Sequence, residues 1–316
     1  MVIFTHSFIS TLFIGLLGNK VLLWLVIIVA FDLLILFIYL LRKRKLNSVV
    51  AVEPTPAPTA GAILSLVDDE RAINNRNAIF LFGNFKIHTT NQYDISGKFS
   101  PLLKELFLLI FLNSLNHNRG ISSSYIVEKL WPDMADKNAR NNLAVNIGKL
   151  RGVLGSDFHE QLVNQSGVWR FETHNNDANL YCDYIRCLHI LKSKQEHSLA
   201  EIKSLMHIVQ KGGLLVDLNY EWLDSFKANI SNEIVDTLLA FMAGNSANVS
   251  PNLIIQMADA ITLLDMANEN AMEMKCKALV SLGKHSLANE IYLKFVKEYK
   301  ILYNIDYKHD FKSIIS

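Results

Sequence analysis

The 316-residue sequence predicts a mainly α chain in three parts: an N-terminal transmembrane helix, an α+β unit and a C-terminal array of α-helices. Three observations predict it. Residues 21–41 form an apolar run broken by a single charge, Asp32. Residues 79–172 change from strand-like alternation to helical stretches and end in a hairpin pattern. From 178 to 316 apolar residues recur at three- and four-residue spacing, the period of packed helices. Apolar residues make up 50% of the chain, and the excess sits in the first 41 residues, so composition signals a membrane segment and not an oily fold. The net charge of +1 gives no global argument for a nucleic-acid partner, so local charge must carry it.

The run VLLWLVIIVAFDLLILFIYLL (21–41) extends about 30 Å as a helix, the thickness of a bilayer's hydrocarbon core. Trp24 and Tyr39 stand toward its ends, and Arg42-Lys43-Arg44-Lys45 follow directly, which places that end in the cytoplasm. A cleaved signal peptide fits poorly: the run is long and the charges come after it. The expectation is a membrane anchor over 1–45, single-pass in a bacterial inner membrane, with the bilayer as a partner and the remaining domains in the cytoplasm. Residues 1–17 allow a two-helix hairpin through Gly18-Asn19-Lys20, but a single span with Met1 outside is preferred. Asp32 reads either as a functional intramembrane charge or as a carboxylate at a helix contact. Residues 46–77, with Glu53 to Gly61 reading EPTPAPTAG, are a linker that cannot build a core.

The next domain spans 78–174. IFLFGNFKI (79–87) alternates as a strand, with Gly83 marking a bend, and 91–95 makes a short second strand. Ser100-Pro101 starts a helix that runs to about Leu115 and is apolar on most faces, so it belongs in the centre of a core. Ser122 to Ser124 cap a second helix, YIVEKLW, which Pro132 ends. A third helix runs from Asp136 to Leu154 and stops at Gly155. Two strands, 161–164 and 168–172, close the unit as a hairpin. This is the element order of a winged helix-turn-helix, in which the third helix enters the major groove and the hairpin is the wing.

At 100° per residue, Ala139, Leu143, Ile147, Leu150 and Leu154 share one stripe of the third helix. The opposite face holds Asn138, Asn141, Val145, Gly148, Lys149 and Gly152, flanked by Arg140, Asn142, Asn146 and Arg151. Asn pairs with adenine, and Lys and Arg reach guanine or phosphate. No acidic residue lies between Lys137 and Arg151. On this helix alone, a groove-reading face and a solvated polar face weigh equally; the element order favours the first. Residues 78–172 hold 10 Lys and Arg against 8 Asp and Glu, which predicts weak binding by a monomer and a need for dimerisation.

The FGNFKI start, FSPLLKELFLLIFL, YIVEKLWPD and ARNNLAVNIGKLRGVLG resemble the response-regulator type of winged helix, and more closely the SARP group of transcriptional activators. The resemblance implies contact with double-stranded DNA through Asn138 to Arg151 and through the wing from Gly167 to Arg170. It extends into 178–316, where Gly212 to Ile230 is similar to the start of the helical activation domain. Asn268 to Tyr299 is similar to its tetratricopeptide-like helical pair, with Ala278, Leu282-Gly283, Ala288 and Tyr292 at packing positions. That group often carries more cations on the third helix than the Asn141, Asn142 and Asn146 present here, so target and affinity stay open.

No GxGxxG, Walker loop or HExxH occurs, so no cofactor, metal site or catalytic residue is expected. Cys182, Cys187 and Cys276 read as free thiols. No receiver domain, and so no phosphoacceptor aspartate, is expected in the stretch before residue 79. The expected function is a membrane-anchored, sequence-specific DNA-binding transcription regulator, a homodimer whose helical domain contacts RNA polymerase or a sensor protein. The alternative is a membrane-tethered helical-repeat scaffold without DNA readout.

Overall fold

A computed structural model describes residues 76–316, apart from 116–118, 174–179, 194–195, 246–248 and 316. The expected anchor (1–45, with its span at 21–41) and nearly all of the expected linker lie outside the described residues. The expectation of single-pass inner-membrane localisation, with the bilayer as partner, is corrected: among the described residues no helix is long and apolar enough to cross a membrane. The helices of sufficient length, such as 136–158 and 224–244, carry charged and amide side chains.

The described residues form one compact unit. Its first sheet joins β1 (Asn77–Phe80), β2 (Lys86–His88) and β6 (Leu180–Cys182) in the order β2-β1-β6. β1 pairs antiparallel with β2, with Phe80 opposite Lys86, and parallel with β6, with Ala78 opposite Tyr181. The stretch expected as one strand over 79–87 is therefore two. The break falls at Gly83, whose φ of 77° suits glycine and where a Cβ would run into the carbonyl of Lys211. The expected strand over 91–95 is instead a tight turn, with Gln92 N–H donating to Thr89 O at 2.7 Å and a lone bridge from His88 to Asp94.

Helix α1 (Pro101–Leu115) is the centre of the core. Leu103 and the whole run Leu106 to Leu112 are buried, as a helix apolar on every side requires. Phe107 and Phe111 stack at 5.4 Å and both meet Phe171 edge-on. Ser114 is buried, yet satisfied: its Oγ donates to Ile110 O at 2.7 Å and accepts from Phe171 N–H at 2.8 Å. The second sheet joins β3 (Ile121–Ser122), β5 (Val168–Phe171) and β4 (Leu162–Gln165) in the order β3-β5-β4. Between β3 and β4 lie α2 (Ser123–Leu130) and α3 (Asp136–Phe158).

The helical half starts at α4 (Asp183–Leu191) and continues through α5 (Leu199–Val209), α6 (Asp224–Gly244), α7 (Pro251–Leu264), α8 (Glu269–Ser281), α9 (His285–Tyr303) and α10 (Phe311–Ile315). Side-chain caps fix several starts: a capping box of Ser198 and Glu201 on α5, Ser250 with Pro251 on α7, and Asn268 on α8. From α7 to α9, each helix packs on the next, the arrangement of a helical repeat. Met272, Cys276, Leu279, Ala288, Phe295 and Ile314 form a second small core there. Ala278 and Ala288 are buried, whereas Leu282 is exposed and Gly283, at φ 73°, ends α8.

The expected division at 174–178 is bridged by backbone. Besides the parallel pairing of β6, Gly83 N–H donates to Gly213 O (2.8 Å) and Leu215 N–H to Leu81 O (2.7 Å). Asp183, fully buried at the start of α4, accepts from Leu81 N–H at 2.8 Å and Phe82 N–H at 3.2 Å. Burial pushes this carboxyl up to about 6, against the pull of those hydrogen bonds and of the Lys211 charge.

Candidate nucleic-acid interface

Helix α3 starts with Asp136 in its first turn, where a carboxylate complements the helix dipole, and Arg140 Nε donates back to that carboxylate at 2.8 Å. Its buried stripe is Ala139, Leu143, Ile147, Leu150, Leu154 and Phe158, the expected stripe carried on by one residue. Helical geometry breaks at Gly155 (φ 63°, ψ −165°), so the regular part of the helix ends at Leu154. The opposite face is open: Asn138, Asn141, Lys149, Gly148 and Gly152 are exposed, and Val145 is 57% exposed. The side chains of Asn138, Asn141 and Lys149 make no hydrogen bond or ion pair among the described residues. A Cβ added at Gly148 or Gly152 would meet nothing within 4 Å. Packing therefore does not demand glycine at either place.

The other expected contact residues are already engaged. Asn142 Nδ2 donates to Met134 Sδ at 3.1 Å, and Asn146 Nδ2 to Asn142 O at 2.8 Å. Arg151 donates to Leu162 O at 2.9 Å, and its guanidinium lies 5.7 Å from the Trp169 ring centre. It fastens α3 to the hairpin as well as adding charge. Arg170 Nε donates to Arg119 O at 3.2 Å. The structure thus brings Asn138, Asn141, Val145 and Lys149 together as one outward row. Arg140, Asn142 and Asn146 stand beside it, and Arg151 and Arg170 brace the wing.

The wing is a two-residue hairpin. Ser166 (φ 54°) and Gly167 (φ 82°) both take positive φ between the paired residues Gln165 and Val168, as a type I′ turn requires. Ser123, which the sequence offered only as a cap, ties this tip to α2. Its N–H and its hydroxyl both donate to Gly167 O, and its Oγ accepts from Trp169 Nε1 at 3.0 Å. The cap itself is Ser122, whose Oγ accepts from Tyr125 N–H. The signal for Ser123 was only a run of three serines, and its partners lie more than 40 residues away.

No protein-family model matches the chain, and no curated protein matches it. A solved structure of Mycobacterium tuberculosis EmbR in complex with a low-affinity phosphopeptide is similar, with a TM-score of 0.54 and 17% identity. The similarity covers 76% of this chain, which spans 64% of that one. At this identity it shows the fold alone: a SARP-like one, as the resemblance in sequence implied.

Proposed function

We propose that the chain is a transcription regulator of the SARP type that binds double-stranded DNA, with α3 in the major groove and the β4–β5 hairpin as wing. The observation that carries this reading is the outward row Asn138, Asn141, Val145 and Lys149. It is exposed, without acidic residues, set around two glycines that packing does not require, and braced beside a wing. Asn138 and Asn141 offer the bidentate amide that adenine takes. Val145 offers an apolar contact for a thymine methyl, and Lys149 a cation for guanine or phosphate. Arg170 and the wing tip stand where a phosphate backbone passes.

Selection of duplexes from a random DNA library by the full chain tests it. A defined motif should be enriched, with affinity that falls as salt rises. Lys149→Ala should lower the salt slope by about one, and Asn141→Ala should relax preference at one position. Binding without sequence preference, or none, sinks the proposal.

The small charge excess of the winged helix favours action as a homodimer. A protein contact through the helical half draws support from apolar side chains exposed toward the C-terminus, Leu293, Ile301, Leu302 and Ile305 among them. RNA polymerase and a sensor protein are the candidate partners; pull-down by the full chain and by an Ile301→Asp variant separates a specific contact from none.

A further inference from the structure

We propose that a pocket on the outer face of the β2-β1-β6 sheet binds a small aromatic anion. The pocket measures about 380 Å³ and is lined by Phe80, Phe82, Asn84, Lys86, His88 and Lys211. It shares no residue with the α3 row or the wing, so it stands whether or not those bind DNA.

Register builds the site. Residues directly opposite in an antiparallel pair point to the same face, so Phe80 and Lys86 stand side by side, and His88 joins them next to Ala78. The other face carries Ile79 and Ile87, both fully buried in the core. Phe80 therefore stands on the side of the sheet turned away from that core. His88 meets it edge-on at 5.6 Å between ring centres. Lys211 enters from the turn after α5, held by the backbone pairing of Gly83 with Gly213, and its Nζ sits 5.0 Å from the Phe80 ring centre.

The chemistry of the lining is mixed in a specific way. Lys86 and Lys211 make no ion pair among the described residues. The carboxylates that act on them are Asp94, which also faces His88 at 4.0 Å, and buried Asp183 below Lys211. A neutral ring would gain nothing from the two exposed ammonium groups, and a bare inorganic anion would gain nothing from the Phe80 ring. A planar ring carrying one anionic group satisfies both, the ring against half-buried Phe80 and the anion between the two lysines, with Phe82 buried beneath as the pocket's floor. The volume lies near the small end of ligand sites, about 300–1,000 Å³, which suits one ring system with one charged group. A nucleoside monophosphate and an aromatic carboxylate share this chemistry.

Titration calorimetry of the full chain against adenosine monophosphate and 4-hydroxybenzoate tests the site, with adenosine and inorganic phosphate as probes of each half alone. At least one aromatic anion should bind saturably, and whichever does names the source. Adenosine and phosphate should each bind at least about tenfold more weakly. Lys86→Gln and Lys211→Gln remove exposed charges, so both variants keep the wild-type circular dichroism, and each should weaken binding about tenfold. The proposal is overturned if neither aromatic anion saturates up to about 1 mM. It is equally overturned if phosphate binds as tightly as they do, or if both folded lysine variants bind like the wild type.

Discussion

Gly148→Ala separates what the fold needs from what the DNA face needs. Gly148 lies mid-helix in α3, directly above Asn141 and between Val145 and Gly152, and a Cβ there would meet nothing within 4 Å. Alanine in a helix interior is better than glycine by about 1 kcal/mol, because glycine loses more backbone freedom on folding. With no clash to offset it, Gly148→Ala should stabilise the chain by about 0.5–1 kcal/mol, and Gly148→Ala with Gly152→Ala by up to about twice that. With α3 in the major groove as proposed, the added methyls would lie on the line of closest approach to a duplex. They should hold the helix away from the base edges and cost about 1–3 kcal/mol of specific binding, the worth of one base-pair contact. Urea unfolding reads the first effect, and fluorescence anisotropy on the selected duplex reads the second. A double variant that is stabilised and binds that duplex as tightly as the wild type would refute the placement of this face against DNA.

Four further outcomes follow from the junction and the wing. Asp183→Ala leaves the buried N–H groups of Leu81 and Phe82 without an acceptor and should cost about 2–5 kcal/mol in urea unfolding. Asp183 also sets a pH signature: its folded value, about 6, lies above the ordinary aspartate value of about 3.8, so the folded state holds an extra proton between the two. Stability from this group is present at pH 4 and lost as pH rises through 6, by about 3 kcal/mol at most. Asp183→Asn does not titrate, so its stability relative to the wild type should rise from pH 4 to pH 7; a constant gap counts against the buried charge. Gly83→Ala forces a Cβ toward the Lys211 carbonyl at positive φ and should destabilise by more than about 2 kcal/mol, seen as a lower urea midpoint. Arg151→Lys keeps the charge and loses the stacked, bonded guanidinium. It should lower stability by about 1 kcal/mol and shift Trp169 emission to the red as the hairpin loosens.

Much of the winged helix could be read from sequence because its signals are local. Pro101 after Ser100 sets the start of α1, Ser122 caps α2, and the five-residue stripe from Ala139 to Leu154 is a periodicity any helix of that register displays. The hairpin of strands 161–164 and 168–172 was legible for the same reason. What escaped depends on partners distant along the chain. β6 is three residues long and pairs with a strand about 100 residues earlier, so no window of sequence contains the pattern. Asp183 looks like an ordinary helix-starting aspartate until Leu81 and Phe82 are placed against it. The candidate interface divides the same way. Helical geometry alone picked out Asn138, Asn141, Val145 and Lys149. The bracing contacts of Arg151 and Arg170 needed Leu162, Trp169 and Arg119 in place.

The junction bears on how such a regulator could be controlled. Winged helix and helical half share a parallel strand, a backbone ladder from 81–83 to 213–216, and a buried carboxylate with both oxygens engaged. The largest buried cluster runs without a break from Ile79 to Ala271. Swinging one half away from the other would expose that cluster and strand the Leu81 and Phe82 donors, a change on the scale of unfolding the domain. Under the proposed function, a signal received by the helical half would reach the α3 row through a change in how whole units assemble, not through a hinge between the halves. The Phe80–Lys211 pocket lies across this seam, with one lysine from each side. A ligand there would tighten the junction further, and its effect on DNA binding would arise from the assembly the tightened unit favours.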